Sequence, residues 1–427
     1  MGAKQTNTTK KLKKILPVAI SALAFSYFGM FTNSVFANTP QSLYDQVWKI
    51  VSVKFLDPSE NAQDWNKWRH RYDNSIKTDA DAYLAIQTML ASLNDPYTRF
   101  LDPEAFADEG NSIKGTLFGI GIQIGIKDEK IVVISPIEDT PAAKAGLLSN
   151  DEIIKIDQKS TKGISVKEAA DRIRGEEGTT VTIEVKRGEE LKSFTIARSK
   201  INVKSVSLIP PKGIKVENNM GYIKLNSFIS SNAADEVKDA LEKLNTKSGY
   251  IIDLRSNPGG LLSNAVKIAD MLLDGGVIVS TVDRDGYKQT QKSDKATITD
   301  KPVVLLIDSG SASASEILSG ALKDNGRATL VGTKSFGKGI VQEINRLPDG
   351  SGMNITIQKY LTPNDTDINK KGIMPDYTVK VTTDDVRDGK DPQLMKAEEV
   401  LSTQITKYNT EHKNEASAIE QVKTIVK

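Results

Sequence analysis

The stretch that decides the fold is Val303-Val304-Leu305-Leu306-Ile307-Asp308-Ser309-Gly310-Ser311-Ala312-Ser313-Ala314-Ser315-Glu316. Five consecutive apolar, mostly β-branched or leucine residues read as a strand buried on both faces. A small-residue turn follows, and a helix is expected from about Ser315 to Lys323. Upstream, Tyr250-Ile251-Ile252-Asp253-Leu254 is a second such strand. It ends in Asn257-Pro258-Gly259-Gly260 and leads into another helix. Gly221-Tyr222-Ile223-Lys224-Leu225 and the amphipathic run from Ala233 to Leu244 add one more strand and helix. Strand, turn and helix in repetition are the sequence form of parallel crossover units.

Working outward, residues 112–200 change period. Gly119-Ile120-Gly121-Ile122, Ile131-Val132-Val133-Ile134 and Val181-Thr182-Ile183-Glu184-Val185 are short β-type runs, with helices expected at 142–147 and 166–173. Residues from about 40 to 105 and from about 390 to 427 carry apolar residues at helical spacing. At the N-terminus, Lys10, Lys11, Lys13 and Lys14 precede an apolar run from Ile15 to Phe31 and then Val35-Phe36-Ala37. This is a secretory pattern with cleavage expected after Ala37. An uncleaved anchor is the rival, and the 17-residue run is short for one.

Composition removes several chemistries. The 427 residues hold no cysteine, so thiol catalysis and disulfides are excluded. His70 and His412 are the only histidines and lie far from any glycine-rich motif, which argues against a Ser-His-Asp triad and a His-rich metal site. A net charge of +2 gives nucleic-acid binding no support. No cofactor or metal is called for.

The remaining chemistry converges on a serine hydrolase with a non-histidine base. Serines 309, 311, 313 and 315 sit at a strand-to-helix junction, where helix N–H groups can meet a developing oxyanion. The same pattern is also an ordinary helix cap, Ser with Glu316 behind it. Gly332-Thr333-Lys334-Ser335-Phe336-Gly337-Lys338-Gly339 places a lysine between glycines. It partly matches a phosphate-binding loop, but Gly339 stands where Ser or Thr is needed and a strand pattern follows. On a strand, Lys338 and Gln342 would share a face, so Gln342 could orient the lysine. A glycine N–H of Gly259 or Gly260, with that of Ala314, could form an oxyanion hole.

These residues resemble the C-terminal processing peptidases, also called tail-specific proteases. Further matching pieces are Asp95-Pro96-Tyr97-Thr98, Arg174-Gly175-Glu176-Glu177-Gly178-Thr179, Asp253-Leu254-Arg255-Ser256 and Phe336-Gly337-Lys338-Gly339. The resemblance implies a multidomain α/β protein with a ClpP/crotonase-like peptidase core, an inserted PDZ domain and helical terminal segments. The corresponding divisions are 1–37, signal or anchor; 38–111, helical; 112–200, PDZ; 201–380, Ser–Lys core; and 381–427, helical tail. It selects Ser313 among the serines, with Lys338 as base and Gln342 assisting. It makes Leu117, Phe118, Gly119, Ile120 and Gly121 the carboxylate-binding loop, and Arg174 a switch reporting peptide occupancy. Asp324 also matches a common family residue, but it lies three helical turns beyond Ser313, which favours a structural role. The implied partners are protein C-termini and a second copy of the chain, docked through the helical ends, although core packing would give the same amphipathic pattern. Export across the cytoplasmic membrane, with the N-terminal segment as a membrane tether if uncleaved, is expected. The alternative to a peptidase is a non-catalytic PDZ adaptor.

Overall fold

The computed structural model describes residues 39–425 apart from 128, 138, 139, 203 and 212. The expected signal segment lies outside the described residues. The centre of the molecule is a six-stranded sheet in the order Val206–Ser207, Met220–Leu225, Gly249–Asp253, Val303–Ile307, Ala328–Gly332, Tyr377–Thr378. Every pairing is parallel except that of Val206–Ser207. The helices Ala233–Lys243, Leu262–Leu272 and Ala314–Asp324 cross over between or after its strands. Their apolar stripes bury Val237, Leu241, Ile268, Leu272, Leu318 and Leu322 against Ile223, Ile252 and Leu305. The opposite face is covered by the helix Pro392–Ile425, through Leu394, Ala397, Leu401 and Ile405 on Tyr222, Ile251, Val304 and Leu306. Cover on both faces is why Gly249–Asp253 and Val303–Ile307 have no polar side.

A second sheet is antiparallel. Gly352–Leu361 pairs with Ile340–Arg346, Val277–Asp283 and Arg99–Leu101, and Val277–Asp283 pairs in turn with Lys288–Lys292. The strand Arg99–Leu101 and the helix Pro103–Ile113 lie in or beside the segment read as helical from periodicity. Three residues are too few to display a period, and the strand exists because Arg99 meets Asn354 and Leu101 meets Gly352. The N-terminal helices Pro40–Lys54 and Asp79–Ala91 pack on this sheet, with Tyr44, Val47, Ile86 and Met89 against Met353 and Ile355. Thr39 and Thr78 start these two helices with reciprocal caps.

The third sheet is a separate module. Its order is Ile122–Lys127, Lys130–Pro136, Glu152–Ile156, Thr180–Arg187, Glu190–Ala197, with Lys159–Ser160 returning on Glu152–Ile156. Its own core contains Ile131, Val133, Leu147, Ile153, Ile183 and Val185. A two-stranded ribbon, Thr116–Gly119 with Ser199–Asn202, joins its two ends to the rest. That ribbon runs across the division drawn at residue 200.

Candidate active site

The site forms at the carboxyl ends of the parallel strands, where an open α/β sheet exposes loops rather than helix faces. Val303–Ile307 runs out into residues 308–312, and Ser313 caps the helix Ala314–Asp324 with φ +54° and ψ −114°. That backbone lies outside the usual regions for an L-residue and is held by its surroundings. Ser311 and Ser315 are buried, and their hydroxyls donate to Leu254 O at 2.8 Å and Asn257 O at 2.9 Å. Ser313 is half-buried and its hydroxyl donates to no described acceptor. Two of the rival serines thus stitch loops together.

Glu316 does more than cap. Its carboxylate is fully buried. It accepts from the N–H of Ser313 (2.9 Å), the hydroxyl of Ser335 (2.5 Å), and the N–H groups of Gly337 (2.7 Å) and Lys338 (2.9 Å). One carboxylate therefore fixes the serine loop and the lysine loop relative to each other. Charge-assisted bonds of this kind offset the cost of burying it. The Ser-x-x-Glu spacing was visible in the sequence, but this bridging role was not.

Lys338 sits in the loop ahead of Ile340–Arg346 rather than on the strand. Gly337 and Gly339 flank it because a Cβ at either would lie 2.9 Å from Gly372 N or 2.7 Å from Asn369 N. The strand that follows supplies no helix for a phosphate-binding loop. The ammonium stands 4.5 Å from the centroid of the Tyr97 ring, and it donates to no acceptor among the described residues. Burial, then the charge of Arg99, lowers its pKa from the usual lysine value, against opposing pulls from Asp95 and Glu316.

Gln342 differs from the expectation. A register shift between Val341 and Gln342 breaks the strict alternation that would have aligned it with Lys338. Its amide donates to the Thr356 hydroxyl at 3.3 Å, and that hydroxyl donates to Asp95 at 2.7 Å.

The glycine loop needs a correction. Gly259 N–H donates to Asn257 Oδ1 at 2.9 Å, so it is not free to serve an oxyanion. The N–H groups of Gly260 and Ala314 donate to no described acceptor. Gly259 contributes its lack of a side chain, because a Cβ there would sit 2.5 Å from Ala312 O and 2.9 Å from Ser313 Cβ. Asn257 anchors the whole turn through bonds to Leu225 O and from Ala312 N and Ser315 Oγ. Behind it, Asp253 is buried against Tyr222, Lys224 and Arg255, and Arg255 reaches Asp391 at 2.8 Å. Burial alone would raise the Asp253 pKa, but the bonds and charge of Arg255, with Lys224, bring it below the ordinary value. Asp324 is remote from Ser313 and accepts from Thr362 and Asn364.

In the separate module, Phe118, Gly119, Ile120 and Gly121 border a groove with Ile122, Ile124, Ala170, Ile173 and Arg174. The strand Ile122–Lys127 is the sheet edge there, beside the helix Val166–Ile173. The amides of Ile120 and Gly121 donate to no described acceptor. Arg174 lies on the rim and pairs with Asp171 at 3.2 Å. The Leu117 side chain is outside the described residues, and its backbone pairs with Ile201.

Comparison with known proteins gives the family of the chain. The description "Peptidase family S41" matches residues 219–379, and that of a PDZ domain matches 119–197. The carboxyl-terminal-processing protease of Picosynechococcus sp. is 42% identical over 360 residues, covering 82% of this chain and 86% of that protein. The Synechocystis sp. carboxyl-terminal-processing protease is 40% identical over 380 residues, covering 87% and 88%. A solved structure of a photosystem II D1 C-terminal processing protease superposes with a TM-score of 0.56 at 33% identity, covering 80% of this chain and 93% of that one. The chain belongs to peptidase family S41, with the carboxyl-terminal-processing proteases, and carries a PDZ domain ahead of its catalytic sheet.

Proposed function

We propose that this protein is a serine endopeptidase that cuts protein substrates near their free C-termini, with Ser313 as nucleophile and Lys338 as general base. The observation that carries the residue assignment is Glu316, which ties the strained Ser313 elbow and the Lys338 loop to one buried carboxylate. Neutral Lys338 takes the hydroxyl proton as Ser313 Oγ attacks the scissile carbonyl. The oxyanion is met by the N–H groups of Ala314 and Gly260, which have no other described partner. The ammonium then gives its proton to the leaving amine, and the C–N bond breaks to leave an acyl-enzyme. Water, deprotonated by Lys338, releases Ser313. A lowered lysine pKa favours this role, since the base must be neutral to act. Gln342 assists by orienting the lysine side of the site, and here it does so from the Thr356–Asp95 chain.

The PDZ groove captures the substrate. An extended peptide adds to the edge Ile122–Lys127, and its carboxylate meets the amides of Ile120 and Gly121. Arg174, at the groove rim, links occupancy to the catalytic arrangement. Export fits the N-terminal pattern of lysines, apolar run and Val35-Phe36-Ala37. The exported form is secreted, periplasmic, or tethered to the membrane when the segment stays uncleaved. The amphipathic terminal helices are the surfaces assigned to a homodimer.

The test is cleavage of an unstructured polypeptide with a free C-terminus. Ser313→Ala and Lys338→Ala each reduce turnover to background. Full activity in Lys338→Ala overturns the mechanism. N-terminal sequencing of exported protein should begin at Asn38.

A further inference from the structure

The segment Asp95-Pro96-Tyr97-Thr98 stands out in the sequence, yet the mechanism above gives most of it no task. It joins the helix Asp79–Ala91 to the strand Arg99–Leu101, far in sequence from every catalytic residue. The fold brings it directly under Lys338. The ammonium lies 4.5 Å from the Tyr97 ring centroid, inside the range where a ring face attracts a cation. No described oxygen accepts from that ammonium. Tyr97 is half-buried, and its phenol stays neutral because burial, then Asp95 and Glu316, push its pKa up.

The nearest carboxylate of the segment is otherwise engaged. Asp95 accepts from the Tyr97 N–H at 3.1 Å, the Thr98 hydroxyl at 2.6 Å and the Thr356 hydroxyl at 2.7 Å. The Thr356 hydroxyl in turn accepts from Gln342. Asp95 therefore holds Tyr97 beneath the lysine on one side and Gln342 on the other. Thr98 closes the arrangement by accepting from Thr356 N–H at 3.1 Å.

We propose that Tyr97 is a positioning residue for the general base, its ring face holding the protonated form of Lys338 while Asp95 sets the ring and, through Thr356, Gln342. The inference rests on Lys338 being the base. A catalytic lysine must carry a proton between Ser313 and the leaving amine, so its ammonium needs a support that does not trap it. A carboxylate in ion-pair contact would strongly favour the charged form and hold the proton. A ring face attracts the ammonium more weakly and has little hold on the neutral amine, so deprotonation frees Lys338 to turn to Ser313.

The other groups acting on the lysine are Asp95 and Glu316, which favour its charge, and Arg99, which opposes it. Arg99 is itself paired with Glu109 at 2.9 Å. Tyr360 donates its hydroxyl to Ser313 O at 3.3 Å, and burial keeps it protonated. All of these groups are retained in a variant that replaces only the ring at position 97.

The ring stabilises the ammonium, so removing it lowers the lysine pKa and moves the acid limb of activity to lower pH. The experiment is the pH profile of kcat/KM for the wild type, Tyr97→Phe and Tyr97→Leu on an unstructured polypeptide. Tyr97→Phe keeps the ring face and should keep the limb in place. Tyr97→Leu should move it down by about one pH unit and lower the plateau roughly tenfold. If the leucine variant does not fold, fluorinated phenylalanines at position 97 keep the shape while weakening the ring's negative face. The limb should then move further with each added fluorine. Coincident limbs for leucine and phenylalanine, or no response to fluorination, overturn the inference. Lys338→Ala distinguishes the two failures. If it is inactive while the limb ignores position 97, only the role of Tyr97 is wrong. If it is active, the base assignment itself is wrong.

Discussion

The PDZ module and the catalytic core solve opposite problems with backbone hydrogen bonds. The PDZ interior is apolar, built from Ile131, Val133, Leu147, Ile153, Ile183 and Val185, and its outer strand Ile122–Lys127 has a neighbour on one side only. A free edge normally invites misassembly, and here it faces a groove able to accept one extended chain. The core does the reverse. It buries Asp253, Asn257, Asn264, Ser311, Ser315, Glu316 and Ser335, and uses them to hold loop backbone in place. Among its described loop donors, the N–H groups of Gly260 and of Ala314, the residue after Ser313, have no described acceptor. In the proposed reading, binding uses an edge strand with one open side, whereas catalysis uses loops held by buried polar side chains.

The largest expected effect separates these two devices completely. Ser313→Ala should lower turnover by at least about 10⁴-fold. It should leave the affinity for a peptide carrying a free C-terminus unchanged, as read by fluorescence anisotropy. Loss of binding in that variant would mean that the two regions do not work separately.

Next comes the carboxylate that joins the catalytic loops. Glu316→Ala leaves the N–H groups of Ser313, Gly337 and Lys338 without their acceptor. A cost of about 3–5 kcal/mol in unfolding free energy is expected, measured by urea denaturation, with activity falling at least about a hundredfold. Peptide affinity should again hold. A stable, active Glu316→Ala would show that the two loops are held by something else.

A smaller effect is expected at the groove. Ile173 is buried under the PDZ groove, and Ile173→Asp should raise KM by about tenfold or more, with kcat nearly unchanged at saturating substrate. Arg174→Ala sharpens the comparison, because a switch residue predicts retained binding with reduced kcat. Unchanged cleavage in that variant removes the switch role.

The smallest effect is on PDZ stability against pH. Asp151 is buried and receives two hydrogen bonds of 2.7 Å from Arg187. Burial pulls the Asp151 pKa upward, but the Arg187 bonds, the Leu148 N–H and the Arg187 charge outweigh it and leave the pKa lowered. A carboxyl held low in the folded state contributes stability above its unfolded pKa of about 3.9, and loses it as pH falls through the folded value. The PDZ module should therefore lose about 1–2 kcal/mol below about pH 4. Asp151→Asn should abolish that dependence, as followed by limited proteolysis within 112–200.

How much of this was legible depended on distance along the chain. The runs 250–254 and 303–307 announced buried strands because five apolar residues in a row have few other uses. The helices read at 233–244, up to about 273 and at 315–323 followed from spacing, and the structure has them at 233–243, 262–272 and 314–324. Arg99–Leu101 was not legible, since its reason for being a strand lies some 250 residues away in Gly352–Leu361. Gln342 was misread in geometry because a bulge does not show in alternation. Gly259 was a natural oxyanion donor on paper, and only the position of Asn257 Oδ1 removes it. Tyr97 had no local signal at all beyond a motif with no assigned task.

The amino-acid sequence by itself determined the class of chemistry. Without cysteine, and with two histidines outside every motif, a serine hydrolase needs a base such as lysine. It also determined the alternation of strand and helix, because those patterns arise within one or two turns of chain. Tertiary structure alone decided which donors remain free, which carboxylate binds the two loops, and what surrounds the lysine. Each of those depends on groups from at least two elements meeting at hydrogen-bond distance, and no local pattern encodes such a meeting.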